Sequence, residues 1–139
     1  MKYIFFACLV IACYCPSCAQ NTGMMPQKIV LYANDIETET PFDVTPNLFC
    51  KQISMQLVDS VVIQDSVVMH SIIDGLNMSS SHSQSKSMDV RGMILFKYDE
   101  TEDISFFYSR FSVQKGDTLY SISPILPYYL DSIRSANNN

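Results

Sequence analysis

Three residues of this chain are of the right types for a nucleophilic pair: Cys50 with either His70 or His82. A thiol becomes a strong nucleophile when a neighbouring imidazole takes its proton. His82, however, sits in a serine-rich run where nothing fixes a base in register, and His70 falls inside a predicted helix. Flanked by Phe49 and Ile53, Cys50 reads instead as a buried and inert side chain. The second candidate is the acidic run Asp99, Glu100, Glu102 and Asp103, whose oxygens suit a hard cation such as Ca²⁺. It has neither the spacing nor the internal glycine of an EF-hand loop, and its carboxylates are accommodated most cheaply in water at the tip of a hairpin. The sequence carries no glycine-rich phosphate loop, no His-x-x-x-His, no Gly-x-Ser-x-Gly elbow and, beyond residue 18, no cysteine pair for zinc. No catalytic residue, cofactor or metal is therefore expected, and the chain reads as non-enzymatic.

Binding and modification are better supported. Tyr120, Tyr128 and Tyr129 are candidates for partner contact, because tyrosine offers a large apolar area with a polar tip; the same residues would serve equally as half-buried cover for a sheet. Asp59-Ser60-Val61, Asp65-Ser66-Val67, Asp117-Thr118-Leu119 and Asp131-Ser132-Ile133 are similar to the Asp-Ser/Thr-aliphatic acceptor that some exported bacterial proteins use for O-linked glycans. Asn77-Met78-Ser79 also matches the N-linked sequon, although Asp-Ser pairs arise in helix caps and turns as well. The segment Val113-Gln114-Lys115-Gly116-Asp117-Thr118-Leu119-Tyr120-Ser121-Ile122-Ser123 resembles the opening of a LysM domain, a small βααβ module that binds peptidoglycan or chitin. The resemblance implies a sugar-binding groove at Gly116, Asp117, Thr118 and Leu119. Pro124 and Pro127 fall where that module's first helix would run, and a tight Lys-Gly-Asp hairpin turn produces the same letters for structural reasons.

The N-terminus places these candidates in a compartment. Lys2 is followed by an almost wholly apolar run to Cys15, and Ser17-Cys18-Ala19 puts small residues at the −3 and −1 positions before Gln20. Residues 1–19 read as a secretory signal peptide cleaved after Ala19, too short for a membrane span. Val10-Ile11-Ala12-Cys13 also resembles a bacterial lipobox, so the alternative is a lipoprotein anchored through Cys13. Without Lys2, 8 basic residues face 14 acidic ones, a net charge of −6 with no basic patch, which disfavours nucleic acid and anionic membrane surfaces as partners. A membrane is expected only through lipid on Cys13. With Cys50 as the one remaining thiol, no internal disulfide can form, and the domain must rest on its hydrophobic core.

The elements that position the candidates follow from apolar spacing. Residues 20–27 read as a flexible lead-in, 28–33 as a first strand, and the proline-containing stretch 34–46 as an irregular crossing. In 48–57 the alternation of Ile53, Met55 and Leu57 with Ser54 and Gln56 favours a strand over a helix. Val61-Val62-Ile63 predicts a strand. Asp65 is then placed to cap a central helix over 65–77, in which Val68/Met69, Ile72/Ile73 and Leu76 share a face. Residues 79–87, with six serines, read as a loop. A three-strand meander follows: 91–98, a hairpin at 99–103, one long strand over 104–114, a turn at Lys115-Gly116-Asp117, and 118–122. Ser123-Pro124 opens a C-terminal helix with Leu126, Leu130 and Ile133 on one face, and 134–139 is expected to be a disordered tail. The fold class is α+β, a single domain spanning 28–133. The functional expectation is an exported, periplasmic or secreted, interaction or structural module of the bacterial envelope with a protein or glycan partner; the alternative is a peptidoglycan or glycan binder acting through Gly116, Asp117, Thr118 and Leu119.

Overall fold

The computed structural model describes residues 24–77, 80–82 and 88–137. The leader, its cleavage after Ala19, Cys13, and Met78 and Ser79 of the sequon lie outside the described residues. Seven strands are described: β1 (Lys28–Ala33), β2 (Asp59–Ile63), β3 (Ser80–His82), β4 (Gly92–Lys97), β5 (Ile104–Tyr108), β6 (Ser112–Lys115) and β7 (Thr118–Ser121). They form one sheet in the order β2-β1-β4-β5-β6-β7-β3, with every pairing antiparallel. Three helices, α1 (Pro46–Ser54), α2 (Ser66–Asn77) and α3 (Ile125–Asn137), complete an α+β domain. Among the described residues no helix is long and apolar enough to cross a membrane.

Strand periodicity divides the core in two, because successive side chains of a strand point to opposite faces. Ile29, Leu31 and Ala33 of β1, Val61 and Ile63 of β2, Ile94 and Phe96 of β4 and Tyr108 of β5 face one side, where Met69, Ile72 and Leu76 of α2 and Leu126 and Leu130 of α3 cover them. Tyr32, Met93, Leu95 and Phe107 face the other, where Phe49 of α1 packs with Val44, Met88 and Val90. A two-sided sheet explains why β1 and β4 are apolar at nearly every position. The central helix is capped as the sequence implies: Asp65 Oδ1 accepts from Val67 N–H at 2.9 Å and Val68 N–H at 3.0 Å. Gly75 lies within that helix and lets α3 approach, since a Cβ there would stand 2.9 Å from Leu126.

Four expectations are corrected. Residues 46–54 form a helix, because Thr45 accepts from Leu48 N–H at 3.3 Å and Pro46 occupies the first helical position, a start signal that outweighs the alternation downstream. The strand expected over 104–114 is two strands. Ser109 Oγ accepts from Phe111 N–H at 3.3 Å and Ser112 N–H at 3.1 Å, closing a turn that makes the meander four-stranded and puts Val113 on the face of Tyr108 rather than that of Phe107. Part of the serine-rich run, β3, pairs with β7. Finally, α3 continues to Asn137 through the expected tail, held by Arg134, which meets Asp131 at 3.0 Å and Asp59 of β2 at 3.2 Å.

Candidate functional site

The crossing 34–45 is fixed to the sheet by two arginines. Arg91, only 8% exposed, donates to the Thr38 carbonyl and pairs with Asp89, whose Oδ1 accepts from Val44 N–H at 2.9 Å. Arg110, in the turn built by Ser109, donates through Nε to the Ile36 carbonyl at 3.0 Å, while Ile36 itself is buried in the core. Asp35 tightens the same corner by accepting from Glu37 N–H at 2.8 Å. These contacts hold Glu37 beside Arg110, with 3.9 Å between their charged ends.

The N-terminal half of α3 meets that corner. Leu126 N–H reaches the Ser123 carbonyl at 3.2 Å, and Pro127 stands in the first turn, where its missing N–H is not needed. The Glu37 carboxylate beside the Tyr128 hydroxyl holds the phenol above its ordinary range, against the opposing influence of Arg110. Tyr128 is 51% exposed, Ile125 one turn earlier 77%, and Phe111 beside Arg110 67%. Ile122 N–H binds the Phe111 carbonyl at 3.1 Å, which ties the turn to the segment entering α3. The result is an aromatic and aliphatic surface around a phenol, a carboxylate and a guanidinium, all drawn from segments far apart in sequence. Such a group suits recognition, since Tyr and Arg on a fixed backbone supply area and directed hydrogen bonds at low entropic cost.

The three tyrosines singled out from the sequence separate. Tyr120 on β7 and Tyr129 on α3 are half-buried against the core, and only Tyr128 faces outward. Gly116, with φ +56°, makes the tip of the β6–β7 hairpin; Asp117 and Thr118 are exposed, and Leu119 packs inward beneath the second face of the sheet. The LysM-like residues thus run from turn into strand, where a LysM segment would run into a helix. Cys50 is exposed rather than buried, because its neighbour Phe49 takes the inward position on α1. His70 is exposed on α2, with Nδ1 2.7 Å from the Ser66 carbonyl. As α1 and α2 cover opposite faces of the sheet, Cys50 and His70 form no dyad, and His82 lies in β3 opposite Leu119.

At the other hairpin, the exposed Asp99, Glu100, Glu102 and Asp103 surround the turn from β4 to β5, and Asp103 pairs with Lys97. A shallow cavity of about 250 Å³ lies there between Met24, Tyr98, Thr101, Glu102 and Ile104. Burial pushes the Tyr98 hydroxyl up. No group of three His, Cys, Asp or Glu side chains placed to hold a metal is found among the described residues. Sequence reasoning found Tyr128 but missed Glu37, Arg110, Phe111 and Ile125. The one local signal was Ile125, an apolar residue beside Leu126 that lies off the Leu126, Leu130 and Ile133 face of α3. Comparison with protein-family models, curated proteins and solved structures finds no match.

Proposed function

We propose that the chain is an exported, non-enzymatic interaction module of the bacterial cell envelope that holds a protein partner through the surface around Tyr128. The observation that carries this reading is the exposure of Phe111, Ile125 and Tyr128 on backbone fixed by the Arg110 contacts to Ile36 and Glu37. Large side chains left in water on a rigid support are what an interface core requires, and the Arg110–Glu37 pair supplies a polar rim. The apolar leader with its small residues before Gln20 supports export. Leu119, packed inward, leaves the Gly116 segment little apolar area for a sugar ring, which favours a protein over a glycan as partner.

A photo-crosslinking residue placed at position 128, in cells that express and export the full chain, tests the reading. Discrete adducts are expected at 128 and not at Val67, an even more exposed position on α2, and Arg110→Ala should weaken them. Identical adducts at both positions, or none at 128, would refute it.

A further inference from the structure

Four of the ten aspartates in this chain are followed by Ser or Thr and then an aliphatic residue, whereas random placement of the same residues would give fewer than one such triplet. The structure separates the four. Ser66 lies in the first turn of α2, and the Asp65 carboxylate beside it is committed to the helix cap. Ser132 lies within α3, where its hydroxyl donates to the Tyr129 carbonyl at 2.6 Å and Asp131 is held by Arg134. Ser60 is exposed on β2, but Val61 after it is buried and Asp59 before it pairs with Arg134. Asp117-Thr118-Leu119 differs from all of them. Asp117 and Thr118 are exposed and Leu119 is half-buried, and the chain passes from a Gly116 turn standing in open space into the first residue of β7. Thr118 pairs with Lys115 of β6, and among the described residues the pairing of β3 with β7 runs from Ser121 to Leu119.

In an extended segment the neighbours of the middle residue lie on one side and its hydroxyl on the other, a form whose backbone a modifying enzyme can grip. A helix turns successive side chains about 100° apart and uses up the backbone groups that such an enzyme would grip. We propose that Thr118 is the acceptor of an O-linked glycan, attached to the folded protein by a transferase that reads Asp117 and Thr118 where they stand exposed at the β6–β7 hairpin. In the transfer, Thr118 Oγ1 bonds to the anomeric carbon of a sugar carried on a lipid- or nucleotide-linked diphosphate. The bond from that carbon to the phosphate oxygen breaks, the diphosphate leaves with the electron pair, and the hydroxyl proton passes to a base of the transferase; nothing is oxidised or reduced. The segment that resembles a sugar-binding motif is on this account a sugar-carrying one. The inference rests on the export proposed above.

Intact mass and peptide fragmentation of the full chain recovered from the source cells test it, for the unaltered chain, Thr118→Ala and Thr118→Ser. The unaltered chain should exceed its sequence mass by whole sugar units on the peptide containing Thr118, Thr118→Ala should lose all of the added mass, and Thr118→Ser should keep it. A new N-terminus with no added mass, or added mass that survives Thr118→Ala, overturns the acceptor site and leaves export standing. A chain that retains Met1 and carries no sugar overturns both.

Discussion

Gly92→Ala should be among the most damaging single-methyl changes in this protein. Gly92 lies opposite Tyr108 in the β4–β5 register, and the phenol ring lies across the space that a side chain would fill. A Cβ at Gly92 would stand 2.4 Å from Cε1, Cζ and Oη of Tyr108. Carbon atoms in contact are ordinarily about 3.5–4.0 Å apart, so the ring would have to retreat by roughly 1 Å. It has nowhere to go: Tyr108 is 1% exposed, and Asp131 and Arg134 lie close enough to act on its hydroxyl. Overpacking of this kind costs about 1–3 kcal/mol, and the smaller unfolded-state entropy of alanine offsets at most about 1 kcal/mol. The expected net loss is about 2 kcal/mol, a fall in Tm of roughly 8 °C for a domain of this size. Because the chain has no Trp, urea unfolding is followed by far-UV circular dichroism. Tyr108→Leu will itself destabilise the fold, but in that background Gly92→Ala should cost at least about 1 kcal/mol less than alone. A Gly92→Ala protein as stable as the parent, or an equal cost in both backgrounds, would refute this account of the strand pair.

Tyr108 also sets an alkaline limit. Burial pushes its hydroxyl far above the ordinary value, with Asp131 adding to the shift and Arg134 opposing it. The folded state therefore keeps a proton that the unfolded chain releases near pH 10; this contribution is complete below that pH and is lost as pH rises above it. Tyr108→Phe should flatten the fall in urea midpoint between pH 9 and pH 11. Arg91→Ala should leave Asp89 partly buried without its cation and free the Thr38 carbonyl, at a cost of about 3 kcal/mol, with faster proteolytic cleavage within 36–45 as the local readout.

Which parts of this fold were legible depended on how far each cause lies along the chain. The strands β1, β2 and β4, the cap at Asp65, the hairpin at Gly116 and the buried face of α3 each rest on residues within a few positions of one another. The start of α1 was equally local, at Thr45-Pro46, but competed with the alternation of Ile53, Met55 and Leu57; only Ile53 of these takes part in the second core, while Met55 and Leu57 are exposed. The turn at Ser109 carries no Gly, Pro or Asn, since a serine hydroxyl does the work by accepting two backbone N–H groups. The strand β3 forms because β7 offers it a backbone partner, a pairing to which serine side chains give no clue. The last turn of α3 is ordered through Arg134 and Asp59, which nothing in the sequence links.

The candidate site follows the same logic. Tyr128 was legible as a residue type, but its role depends on Glu37, and Glu37 is placed by the local Asp35 turn together with Arg110, which reaches the Ile36 carbonyl 74 positions away. The Ser109 turn that sequence periodicity hides is also what swings Phe111 out of the sheet and aims Arg110 at the crossing. Had 104–114 been the continuous strand that its alternation suggests, Phe111 would share a face with Phe107 and Val113, and Arg110 would lie on the opposite one. One serine hydroxyl thus determines both the parity of the meander and the composition of the surface proposed to bind a partner.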